Sequence, residues 1–116
     1  MNKNILGQLV TVIVDRPLGS VHPQYKDMVY PINYGYVDGI IAPDGEEQDA
    51  YIIGINEPIK EFTGKVIAII HRKNDVEDKW VVVKESCTYT KEEIIEATKF
   101  QEQYFDIEIY HYNFLK

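Results

Sequence analysis

Four carboxylates crowd one short stretch of this chain: Asp44, Glu46, Glu47 and Asp49 fall within six residues. Such a cluster repels itself unless cations neutralise it or its pKa values rise. Hard, oxygen-seeking cations such as Mg²⁺ are the natural partners of carboxylates. Just upstream runs Tyr30-Pro31-Ile32-Asn33-Tyr34-Gly35-Tyr36, and phenolic hydroxyls are good neutral donors to an oxyanion. Metal-binding acids beside phenolic donors point to chemistry on a phosphate or a similar anion. The alternative, equally open at the level of spacing, is a solvated acidic hairpin turn.

A second acidic cluster, Asp75, Glu77 and Asp78, follows an apolar run at 65–72. If the 44–49 and 75–78 turns meet at one rim, they supply enough carboxylates for two or more divalent ions. Paired metals clamp the attacking and leaving oxygens of an in-line displacement. Two separate solvated turns are the other reading. His22, His71 and His111 lack metal-ligand spacing and there is no Cys-x-x-Cys, which argues against zinc. The chain has no phosphate-binding Gly-x-x-x-x-Gly-Lys loop and no Gly-x-Ser-x-Gly elbow. Tyr36, Tyr51, Tyr89, Tyr110 and Tyr112 read as core or amphipathic surface residues.

These groups need a scaffold. At 116 residues the chain is expected to be a single domain, 1–116, and 45% hydrophobic residues suffice for one modest core. A net charge of −7 disfavours a nucleic-acid partner. No apolar run approaches the roughly 20 residues a membrane span requires, and the N-terminus lacks a secretory segment. The lone cysteine, Cys87, fits a reducing cytoplasm.

Residues 8–14 are β-branched and read as a strand, stopped by Asp15-Arg16-Pro17-Leu18-Gly19. Pro23 and Pro31 make 21–33 irregular or edge structure. Strands are expected at 34–42 and 48–55, joined through Asp44-Gly45, then at 65–72 and 78–84. Thr90-Lys91-Glu92-Glu93 is a capping box opening a helix over 91–105, with Ile94, Ala97, Phe100 and Tyr104 on its buried face. Five or six short strands and one helix predict a mainly β fold, a small barrel with the C-terminal helix packed against it.

Tyr30-Pro31-Ile32-Asn33-Tyr34-Gly35-Tyr36, followed after seven residues by Asp44-Gly45-Glu46-Glu47-Gln48-Asp49, resembles the core of the soluble, Mg²⁺-dependent inorganic pyrophosphatases of the first family. Weaker similarity runs from about residue 8 to 106. The resemblance implies an OB-like five-stranded barrel with a C-terminal helix, and hydrolysis of a small phosphate-containing substrate with Mg²⁺, or Mn²⁺, as cofactor. It implies that Asp44, Glu46, Asp49, Asp75 and Asp78 hold metal, with Asp49 accepting the proton of the attacking water. Tyr34 then stands near the metals, Tyr30 near a phosphate, and Tyr104 donates to the product phosphate. It also makes a homo-oligomer an expected assembly.

The departures lie in the cationic half of the motif. Phe105 stands where the family has a phosphate-binding lysine, which makes Phe105→Lys an expected gain in activity. No Lys-x-Glu pair occurs in Val21-His22-Pro23-Gln24-Tyr25-Lys26, and Lys79 falls one position early, with Trp80 at the family's lysine. Lys79 and Arg16 are the first candidates to bind substrate in their place, with Lys26 and Arg72 as further cations. Two other readings follow: a non-catalytic relative that binds metal or a phosphorylated ligand, and a hydrolase of another diphosphate.

Overall fold

The computed structural model describes residues 3–73 and 77–112. After a short 3₁₀ turn at Lys3–Ile5 come β1 (Leu9–Arg16), β2 (Asn33–Ile41), β3 (Glu47–Ile52), β4 (Glu61–Arg72), β5 (Asp78–Val83), α1 (Lys91–Glu102) and β6 (Ile107–His111). The sheet order β1-β2-β3-β5-β4 closes through a β1–β4 pairing into a five-stranded, OB-like barrel, and β6 extends it from β4. All pairs are antiparallel except β3–β5, which is parallel.

β4 is the long strand that makes closure possible. Its Glu61–Lys65 end pairs with β1, its Lys65–His71 stretch with β5, and Ala68–Arg72 also with β6. A register shift between Val66 and Ala68 bends it between these partners. Closure also depends on Gly35, where a Cβ would collide with the carbonyl oxygen of Ile13 on β1. No residue with a side chain fits between those two strands.

Strand parity sorts the core into two layers. Val12, Ala50, Ile52, Val66, Ile69, Trp80 and Val82 fill one layer. Tyr34, Tyr51, Ile67, Ile70, Val81 and Val83 form the other, onto which Ile94, Ala97 and Phe100 of α1 pack. The capping box forms as expected: Thr90 Oγ1 accepts from Glu93 N at 3.1 Å, and Glu93 Oε1 accepts from Thr90 N at 2.9 Å.

Two expectations need correction. The helix ends at Glu102, with Gln103 as its cap, rather than running to 105. Tyr104 therefore lies beyond the helical repeat and is 70% exposed, not part of the buried face. The strand β6 also goes beyond the sequence reading, although Ile107 and Ile109 alternate with Glu108 and Tyr110. No helix among the described residues is long and apolar enough to cross a membrane.

Candidate active site

The face of the barrel that carries α1 also carries the chemistry. In β3, Asp49 shares parity with Tyr51; in β5, Lys79 shares parity with Val81 and Val83. Tyr34 of β2 belongs to the same layer. These side chains meet. Lys79 Nζ donates to Asp49 Oδ2 at 2.6 Å, to Tyr34 Oη at 2.8 Å and to Glu77 Oε1. The lysine is only 3% exposed, so its charge is held by these three oxygens rather than by water.

Tyr34 is a committed phenol. Burial first, then the charge of Asp49 and a hydrogen bond to it, hold its hydroxyl well above the ordinary tyrosine range. It can donate a proton in a hydrogen bond without giving it up.

A second polar chain ties the helix to this cluster. Arg16 Nη1 donates to Tyr30 Oη at 2.7 Å, Tyr30 donates to Gln101 Oε1 at 3.1 Å, and Gln101 Nε2 donates to Tyr51 Oη at 2.7 Å. Tyr51 donates to Glu102 Oε2 at 2.6 Å. Glu102 in turn grips Arg72 at both oxygens, from Nε at 3.0 Å and Nη2 at 2.7 Å. Arg72 Nη1 reaches Glu77 at 3.4 Å, which returns the chain to Lys79. Burial works against the Arg72 charge, but its bonds to Glu102 outweigh that cost and keep the guanidinium ionised.

Of these groups, Arg16, Tyr34, Asp49, Arg72, Glu77, Lys79 and Gln101 line an open cleft of about 1010 Å³ between the barrel, the 17–29 segment and the end of α1. Its floor sets Arg16, Arg72 and Lys79 against Asp15, Asp49 and Glu77. Asp15 and Arg16 both reach the cleft because the β1–β2 register shifts between Val14 and Arg16, which breaks the alternation. Burial raises the pKa of Asp15, and the nearby charge of Asp49 adds to this, against the opposing pull of Arg16.

Of the expected site residues, Asp49, Tyr34, Lys79, Arg16 and Tyr104 line this cleft. Tyr30 lies just beneath it, with its hydroxyl held between Arg16 and Gln101. Asp44 and Glu46 do not line it. They sit exposed on the β2–β3 turn, where Asp44 Oδ1 accepts from Glu46 N at 2.9 Å and Gly45 takes a positive φ of 87°.

Asp78 faces away from this cluster. It has the parity of Trp80, opposite to Lys79, and its carboxylate lies 2.7 Å from His71 Nδ1. Among the described residues, the acid of this turn that lines the cleft is Glu77, one residue earlier. Asp75 lies outside the described residues. Glu77 and Asp15 are thus site residues that the sequence reading did not select. Glu77, immediately before β5, reaches the same ammonium as Asp49.

The donor set bears on a metal. Asp49 and Glu77 already converge on one positive charge, and Asp15 borders the same space. Among the described residues no group of three His, Cys, Asp or Glu is close enough to hold an ion unaided. Mg²⁺, however, is commonly held by one or two carboxylates, with water and substrate phosphate oxygens completing its shell. Two carboxylates sharing a cation at the floor of an open cleft fit that pattern.

Comparison with known proteins agrees with the geometry. The family model described as inorganic pyrophosphatase matches residues 10–114. Among solved structures, an inorganic pyrophosphatase from Ehrlichia chaffeensis superposes with a TM-score of 0.68 at 15% identity, covering 91% of this chain and 87% of that one. One from Neisseria gonorrhoeae gives 0.64 at 19% identity, covering 84% and 74%. One from Coxiella burnetii gives 0.62 at 15%, covering 93% and 87%. No curated protein sequence matches significantly.

Proposed function

Because the chain belongs to the inorganic pyrophosphatase family and is a hydrolase, we propose that it hydrolyses pyrophosphate to two phosphates in the cleft between β3, β5 and α1, with Mg²⁺ as its cofactor. The observation that carries this assignment is the convergence of Asp49, Glu77 and Tyr34 on Lys79 Nζ.

Asp49 and Glu77 would hold the divalent ion, which when bound supplies an acidified water and neutralises the charge of the substrate. Asp49 takes the proton of the attacking water as general base. Tyr34, kept protonated by its burial, donates to the phosphoryl group under attack. Lys79, whose ammonium sits between Asp49 and Glu77, would pair with a phosphate oxygen of the substrate. Arg16, whose guanidinium lies 5.7 Å from the Tyr34 ring, holds the second phosphate, and Tyr104 at the rim donates to the phosphate that leaves. Catalysis of this kind is mostly positioning and electrostatics. Asp44, Glu46 and Asp78 have no part in this assignment, because their carboxylates do not line the cleft.

One observation favours a non-catalytic relative instead: Lys79 already pairs with both Asp49 and Glu77, so the acids share a cation without any metal. Phosphate release from pyrophosphate, measured with and without Mg²⁺, separates the two. We expect release that depends on Mg²⁺. Absence of release with Mg²⁺ and with Mn²⁺ would leave the binding role.

A further inference from the structure

We propose that the same cleft also accepts nucleoside diphosphates, with the diphosphate on the Arg16–Lys79 floor and the flat base against Tyr25 and Tyr104 at the rim. This rests on the hydrolase reading above and extends its substrate class.

The cleft divides by chemistry from floor to rim. The floor is buried and charged, with Lys79, Arg72 and Tyr34 almost wholly enclosed. The rim is aromatic and open. Tyr25 is 61% exposed, Tyr104 70% and Phe105 41%, and all three line the cleft. They come from two separate elements, the 17–29 segment and the turn after α1. Aromatic groups left in water around one opening are unspent apolar surface.

Each rim element is held in place. The His22 ring lies 4.9 Å from that of Tyr25. His22 Nδ1 accepts from the backbone N–H groups of Gln24 and Tyr25 at 3.1 and 3.3 Å, which leaves Nε2–H as a free-facing donor of the neutral tautomer. A hydrogen-bonding edge beside an aromatic face is what a nucleobase requires. On the other side, Phe105 is stacked 3.6 Å from the Arg72 guanidinium, which fixes the turn bearing Tyr104.

Size and charge point the same way. A cleft of about 1010 Å³ reaches the top of the roughly 300–1,000 Å³ range of drug-sized ligand sites, far more than a bare pyrophosphate fills. The floor cations are matched by floor carboxylates, so a small anion gains little from charge alone. Binding energy from a remote, non-reacting part of the substrate can then carry the diphosphate into place.

The reaction is the one already assigned. A water oxygen bonds to the terminal phosphorus, the bond from that phosphorus to the bridging oxygen breaks, and the bridging oxygen leaves with the nucleoside monophosphate. Asp49 receives the water proton. The products are nucleoside monophosphate, phosphate and one proton.

The test compares kcat/KM for ADP, methyl diphosphate and inorganic pyrophosphate with Mg²⁺. Base–aromatic stacking is worth about 1–3 kcal/mol, or roughly 5- to 150-fold. ADP should exceed methyl diphosphate by a factor in that range. Tyr25→Ala should collapse most of that ratio, while Tyr25→Phe keeps it. An ADP to methyl diphosphate ratio near one, or a ratio that survives both Tyr25→Ala and Tyr104→Ala, overturns the inference. Hydrolysis of pyrophosphate alone overturns it and leaves the family activity standing. Hydrolysis of none of the three overturns both.

Discussion

Asp49 and Phe105 carry opposite lessons at the scale of single residues. Asp49 is partly exposed and bonded to Lys79, so Asp49→Asn keeps the shape and one hydrogen bond but loses a carboxylate base. Turnover should fall by about 10² or more, the usual scale of a lost general base, with an unchanged far-UV circular dichroism spectrum. Turnover within a few-fold of the parent would remove Asp49 from the mechanism. Phe105 stands where the family resemblance places a lysine, and from sequence alone Phe105→Lys looked like a repair. The contact that Phe105 makes argues for the opposite outcome. The Phe105 ring lies 3.6 Å from the guanidinium of Arg72, so a lysine there exchanges a cation–π contact for two like charges. The lost attraction alone is about 0.5–2 kcal/mol. Phe105→Lys should therefore lower the melting temperature and bring no gain in phosphate release. A faster, equally stable variant would overturn this prediction.

At the scale of elements, α1 is fastened by a polar strut as well as by its apolar face. Glu102 closes that strut by pairing with the buried Arg72 and accepting from Tyr51. Glu102→Gln leaves the buried guanidinium with the longer 3.4 Å contact to Glu77 in place of its close partner, and breaking a buried pair costs about 3–5 kcal/mol. The expected result is a clear drop in melting temperature together with faster amide exchange along Lys91–Glu102. A loss below about 1 kcal/mol would mean that Ile94 and Phe100 hold the helix by themselves. The helix start was legible because the capping box is local chemistry. Its end was not: no glycine marks it, and the apolar spacing runs on to Tyr104 after the helix has stopped. The strands were placed to within a few residues, but not the phase of β5. Trp80, Val81, Val82 and Val83 are all buried, so that strand lacks the polar alternation that would tell one face from the other. Without that phase, Asp78 and Glu77 were indistinguishable as candidates, and the parity of Lys79 decides between them only once the barrel is closed.

For the whole molecule, the buried phenols set an alkaline limit. Tyr34 and Tyr51 both have hydroxyls held well above their ordinary pKa, by burial first and then by Asp49 and Glu102 respectively. Unfolded tyrosine ionises near pH 10. A group whose folded pKa is raised contributes stability that is intact below the unfolded value and is lost as pH climbs from it towards the folded one. Urea midpoints should thus hold steady up to about pH 9 and fall beyond about pH 10. In Tyr51→Phe the alkaline fall should be shallower, and an identical slope in that variant would place the titration elsewhere. The triple partnership of β4 has its own consequence. Ala68 to Ile70 have neighbours on both sides, in β5 and β6, while the same strand also closes the barrel against β1. No local opening frees those amides without disturbing the pairings with β5 and β6. In deuterated solvent they should be the last to exchange, at rates set by global unfolding, while β6, paired to β4 alone, should exchange its outward amides first. The slowest protons of the chain would thereby report the stability of the barrel as a unit.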